Sequence, residues 1–342
     1  MITATEPLSR SFGYIPGKML DVDAAIETII QRLSTPTSSR RVTLKLIDDP
    51  TVPQVDLDRL QNEVEALAEE WDGVVGFHLS DLASGEAVAL NEDTVFAGAS
   101  TIKAAIMLNA YVNLKRFDAQ QEEWLKEMIV ESDNLAANDL LAAATGSRGT
   151  EAAFVGAEQM SDMLAENLGL KNTYLFVPYE AGDFIRINNF KFRCGPQDPV
   201  GPAPYTETGC ALRATPADMA RLYRLIDACA EGEGELLAQF ELLSAKRCQE
   251  MLDRLARNGD ETRMVAGVPE DVRVEHKSGW VGDMQADAGI VRSPNGDYVL
   301  AVYIFKALPK DLWNWPDEML APVVAHFSRL AYTAYNPVKI EE

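Results

Sequence analysis

The chain has 342 residues, 47% hydrophobic and 25% charged, with 53 acidic against 31 basic side chains and a net charge of −22. That composition suits a globular protein with a sizeable core, built as one large domain or two smaller ones. It argues against general nucleic-acid binding, which needs a basic surface, and against docking on an anionic membrane.

The N-terminus, Met1-Ile2-Thr3-Ala4-Thr5-Glu6-Pro7, shows neither the basic nor the apolar segment of a signal peptide. The chain is therefore cytoplasmic, or an exported protein whose leader has been removed. Residues 1–52 read as a small α+β module: a helical pattern begins at Asp21 and runs through Leu33, and 41–47 alternates as a strand. A second unit, 53–342, follows. Its first helix spans 55–71, with Leu57, Leu60, Val64, Leu67 and Ala68 on one face. Strands at 73–82 and 86–90 form a hairpin around Ala83-Ser84-Gly85.

An apolar run from Ala104 to Val112 follows, and reads as a helix buried on every face. Ser100 and Lys103 stand before it, and the spacing predicts Ser100 in the first turn with Lys103 on the same face. A helix N-terminus favours a developing alkoxide, and a desolvated Lys can take a Ser proton. Taken alone, the pair is better explained by a Ser N-cap beside a solvated Lys.

From 118 to 258 the pattern is mostly helical, interrupted by an irregular Pro/Gly-rich insert at 178–215. Within it Ser132-Asp133-Asn134 heads another helix, where each residue type is also a natural cap. Strands return at 272–280, 286–293 and 298–306, before a last helix at 316–332. The expected fold is α+β: an antiparallel sheet assembled from both chain ends (53–99 and 260–342), flanked by helices, with a helical part, 100–259, inserted between.

No run of about 18 apolar residues marks a membrane span. Four cysteines show no Cys-x-x-Cys spacing. Cys194 and Cys210 flank the insert and can bridge it, whereas Cys229 and Cys248 lie in helical segments and read as buried thiols. His78, His276 and His326 are too scattered for a metal cluster, so no metal or other cofactor is expected.

His276-Lys277-Ser278-Gly279-Trp280 ends a strand. Lys277 there can hold a carboxylate, Ser278 can donate to it, and Gly279 can admit substrate backbone. Together Ser-x-x-Lys, Ser-Asp-Asn and Lys-Ser-Gly, in this order, resemble the serine β-lactamase/penicillin-binding superfamily, closest to its class A-like branch, over about residues 53–338. The resemblance implies an acyl-enzyme serine hydrolase. Ser100 would be the nucleophile, Lys103 its base, and Ser132 the relay to the leaving nitrogen. Asn134 would bind the substrate amide and help place Lys103. Lys277 and Ser278 would bind the substrate carboxylate, and the N–H groups of Ser100 and Trp280 would form the oxyanion hole.

Two departures stand out. The Glu-x-x-Leu-Asn pentapeptide of class A enzymes is missing; Glu180 is the nearest counterpart, with Asp183-Phe184 where Leu-Asn would stand. Ala288 occupies the position of an Arg that anchors the substrate carboxylate in many class A enzymes, so that anchor is missing unless Arg292 or another residue substitutes. The expected substrate is a small molecule, a β-lactam or a D-Ala-type peptide of peptidoglycan. A β-lactamase is the first reading, with a role in antibiotic resistance. A peptidase or esterase that β-lactams merely inhibit is the second, and a non-catalytic module binding cell-wall fragments the third. Residues 12–52 faintly resemble modules of cell-wall-associated proteins, which fits an extracytoplasmic location.

Overall fold

The computed structural model of the chain describes residues 11–35, 41–195, 210–309 and 316–340. The N-terminal part holds β1 (Gly13–Tyr14), β2 (Lys18–Leu20), α1 (Val22–Ser34) and β3 (Leu46–Asp48). Asp21 caps α1 by accepting from the Ala24 N–H. The strand expected over 41–47 is reduced to β3, which pairs antiparallel with β2. Helix α1 buries only Ala25 and leaves Val22, Ile26, Ile29, Ile30 and Leu33 between 41% and 62% exposed. The module is stitched to the other end of the chain by parallel pairing of β1 with a C-terminal strand at 338–339.

Next come α2 (Leu57–Glu69), β4 (Val74–Asp81), β5 (Ala87–Leu90) and α3 (Lys103–Asn113). The helical part follows with α4 (Ala119–Lys126), α5 (Asn134–Ala144), α6 (Thr150–Asp162), β6 (Tyr174–Leu175), α7 (Gly182–Asn188), β7 (Leu212–Arg213), α8 (Pro216–Ala230), α9 (Glu235–Gln239) and α10 (Ala245–Leu255). The chain closes with β8 (Arg273–Val281), β9 (Met284–Arg292), β10 (Tyr298–Phe305), α11 (Pro316–Met319), α12 (Ala321–Tyr335) and β11 (Val338–Lys339).

Five strands form one antiparallel sheet in the order β5-β4-β10-β9-β8, so both chain ends supply it, as the sequence implied. Strand β10 lies at its centre, and its period of two sorts its side chains between two cores. Leu300, Val302 and Ile304 pack with α2 and α12, whereas Val299, Ala301 and Tyr303 pack towards α3 and α8. Helix α3 is buried from Lys103 to Tyr111, which explains its apolar residues on every face.

Two expectations need correction. The insert at 178–215 is not simply irregular. It carries α7, and β6 pairs with β7 across it; residues 196–209 lie outside the described residues. A two-residue strand made by long-range pairing leaves no periodic trace. Second, Cys229 and Cys248 are not free thiols. They form a disulfide between α8 and α10 with Cα atoms 5.8 Å apart, alongside Cys194–Cys210 in the insert. Each cysteine's helical setting was legible, but not that the two helices face each other. The last helix also breaks at Leu320 before resuming as α12.

Candidate active site

The sheet edge β8, the turn before α3 and the start of α5 converge on one cleft of about 210 Å³, lined by Ser100, Ser132, Asp260, Arg263, Lys277 and Trp280 among others. Ser100 does not sit in the first turn of α3 as expected. It lies just ahead, in a tight turn whose i→i+3 hydrogen bonds run Lys103 N to Ser100 O (3.1 Å) and Ala104 N to Thr101 O (3.2 Å). The preceding Ala99 adopts φ +42°, a left-handed conformation that a non-glycine residue adopts only at a cost. The turn leaves Ser100 half-buried at the cleft, while Lys103, the first residue of α3, is fully buried.

Lys103 Nζ is 3.0 Å from Ser100 Oγ. It also donates to Asn134 Oδ1 at 2.7 Å and to the Ser132 carbonyl at 2.5 Å, and lies 3.2 Å from Ser132 Oγ. Those partners are delivered by a wide helical turn at Glu127–Glu131 that ends in Ser132 at φ +59°. Asp133 then caps α5 by accepting from the Ala136 N–H, which leaves Asn134 as the first helical residue, aimed back at Lys103. Burial pushes the Lys103 ammonium down to about 7; the positive Lys277 adds to this, while Asp133 and Glu180 oppose it. A buried amine neutral near pH 7, in contact with a Ser hydroxyl, can serve as a general base.

Glu180 arrives from the insert at φ +58°, and its Oε1 accepts from Asn134 Nδ2 at 2.9 Å. The backbone beside it is clamped to α5: Asn138 donates to the Tyr179 carbonyl (2.8 Å) and accepts from the Tyr179 N–H (2.9 Å). The Tyr179 hydroxyl donates to the Ala99 carbonyl at 2.7 Å, and its ring lies 4.6 Å from Lys103 Nζ. Sequence reasoning missed Tyr179 and Asn138. The only signal was their nearness to Glu180 and to Ser132-Asp133-Asn134.

Lys277 on β8 is buried, donates to the Ser278 carbonyl at 3.0 Å, and is pushed by that burial to about 8, with Asp287 and Asp260 holding it from falling further. Neighbouring His276 is fixed by Asp287, 2.9 Å from its Nδ1. The space left by Gly279 belongs to the protein rather than to a substrate: a Cβ there would lie 2.6 Å from the Ser100 nitrogen and 2.7 Å from the Thr101 nitrogen. That close approach sets β8 directly against the Ser100 turn. Trp280 follows at the rim, 53% exposed.

Arg292 does not replace the missing arginine at Ala288. It is engaged by Glu275, Asp227 and Asp297 instead. Arg263, which sequence reasoning passed over, lines the cleft, with Nε on Gln285 Oε1 at 2.6 Å. Among the described residues no group of three or more His, Cys, Asp or Glu side chains is arranged to hold a metal ion, and no helix is long and apolar enough to cross a membrane.

Solved structures with the same fold include PBP-A, 23% identical over 84% of this chain and 99% of that one, with a TM-score of 0.59. A mutant of PBP-A solved as an acyl-enzyme complex with penicillin G aligns equally well, at 23% identity, a TM-score of 0.59, and 83% and 99% of the two chains. An ancestral class A β-lactamase of Gram-negative bacteria aligns at 22% identity over 81% of this chain and all of its own, with a TM-score of 0.56. No curated protein sequence matches. The sequence profile of the beta-lactamase enzyme family matches residues 59–123 and 115–335, which is most of the chain. With the sheet from both chain ends and the Ser100 cleft in view, the chain belongs to the beta-lactamase enzyme family.

Proposed function

We propose that the protein is a serine β-lactamase-type hydrolase working through an acyl-enzyme on Ser100. The observation that carries this is Lys103 Nζ, 3.0 Å from Ser100 Oγ in surroundings that hold it near pH 7. Neutral Lys103 takes the Ser100 proton as Oγ bonds to the lactam carbonyl carbon. The N–H groups of Ser100 and Trp280 receive the oxyanion. The carbonyl C–N bond then breaks, and the proton passes from Lys103 through Ser132 to the leaving nitrogen. Glu180, held by Asn134, removes a proton from a water whose oxygen bonds to the ester carbon; the bond to Ser100 Oγ then breaks, and the proton returns from Glu180 to Ser100 Oγ as the acid leaves. Two disulfides support an extracytoplasmic setting, because such bonds persist in oxidising compartments.

The test is intact mass after mixing with benzylpenicillin, followed in time beside absorbance. A transient Ser100 adduct with continuous turnover is expected, and Glu180→Gln is expected to make the adduct persist. A persistent adduct on the wild type would instead favour a D-Ala-peptide hydrolase that β-lactams inhibit. No adduct would leave the non-catalytic module or an esterase that excludes β-lactams.

A further inference from the structure

The recognition end of the cleft already contains a carboxylate. Asp260 lines it together with Ser100, Lys277 and Ser278, and its side chain is only 13% exposed. Its Oδ2 pairs with Arg263 Nη1. Its Oδ1 accepts from the Thr262 N–H and the Thr262 hydroxyl, both at 2.8 Å. The Ser278 hydroxyl lies close enough to help keep this carboxylate ionised, and Lys277 lies within its field. The three groups suited to grasp a substrate carboxylate, namely Lys277, Ser278 and Arg263, are therefore all engaged or compensated by one internal acid.

Protonation does not release them. Burial opposes ionisation of Asp260, but Arg263, Ser278 and the hydrogen bonds from Thr262 outweigh it and hold the carboxyl down to about 2. A substrate carboxylate entering here meets Lys277 and Arg263 with one of their two positive charges offset by Asp260, and competes for donors already in use. A neutral amide entering the same place meets an acceptor.

We propose that Asp260 is a specificity-determining residue that weakens the hold of this end of the cleft on a free carboxylate and so admits acyl donors carrying a neutral amide where a β-lactam carries that carboxylate. The assignment rests on the reading of Ser100 as the acylated residue. It works by offsetting part of the attraction for the competing ligand, since discrimination is a difference of affinities.

The experiment compares benzylpenicillin with its carboxamide, which differ only at that group, and reads Ser100 acylation rates by intact mass. The wild type is expected to react with the carboxamide at a rate within about threefold of that with the acid. Asp260→Asn is expected to raise the rate with the acid relative to the carboxamide by roughly tenfold or more. A wild type that prefers the acid by about tenfold, or an Asp260→Asn protein that loses both rates in proportion, overturns the proposal and leaves Asp260 a mere support for Arg263. If Asp260→Asn does not fold, the wild-type ratio of the two probes decides alone. Failure of both probes to acylate Ser100 in the wild type overturns the acyl-transfer reading itself, and the role of Asp260 with it. Acylation with a preference for the acid overturns only the role of Asp260.

Discussion

Burial moves Lys103 and Lys277 by different amounts, to about 7 and about 8. The proposed mechanism uses Lys103 in its neutral form and Lys277 in its charged form. Acylation by benzylpenicillin is therefore expected to rise with pH through about 7 as Lys103 loses its proton, and to fall above about 8 as Lys277 loses its own. A rate profile over this range checks both limbs. Lys103→Ala is expected to slow acylation by roughly 10²–10⁴-fold and to remove the rising limb. Gly279 is tested in another way. The Cβ of Gly279→Ala would collide with the Ser100 and Thr101 nitrogens, so β8 or the Ser100 turn must move. A loss of about 1–3 kcal/mol in stability is expected, with acylation falling well beyond what unfolding accounts for; thermal denaturation beside the mass assay separates the two.

At the scale of elements, the site depends on three segments being held in register. Tyr179 ties the insert to the Ala99 turn through its hydroxyl, while Asn138 ties it to α5. Tyr179→Phe keeps the ring beside Lys103 and removes one hydrogen bond, so a loss of about 1 kcal/mol in stability is expected, with slower acylation and an unchanged pH profile. The Cys229–Cys248 bond joins α8 to α10 across a separation of 19 residues. Replacing both cysteines by serine is expected to cost about 3 kcal/mol in the chain-entropy account, read as a lower denaturation midpoint with acylation retained below it.

On the scale of the whole molecule, the N- and C-terminal ends depend on each other. Phe12 is buried against α2 and α12. Its N–H donates to Thr333 Oγ1 at 3.1 Å, its carbonyl accepts from the Val338 N–H at 2.9 Å, and Arg59 lies 4.6 Å from its ring centroid. Phe12→Ala is expected to cost about 3 kcal/mol while leaving the acylation rate unchanged, because the cavity opens in the core on the α2 and α12 face of the sheet, whereas the Ser100 turn packs into the other core. Circular dichroism melting beside the mass assay checks both halves of that statement.

Much of the architecture was legible because it is periodic. The all-apolar run after Lys103, the alternation along β10 and the strand–helix–strand order each follow from side-chain burial, which sequence records directly. The polar residues at Ser100, Lys103, Ser132, Asn134 and Lys277 were legible as motifs of fixed order. Contacts made across long separations were not. The Cys229–Cys248 pairing, the Tyr179–Ala99 hydrogen bond, the use of Arg263 rather than Arg292 in the cleft, and the entry of Asp260 beside Ser278 all depend on which elements pack face to face. Local pattern sets which side of an element is buried; only the packed structure decides what that side meets.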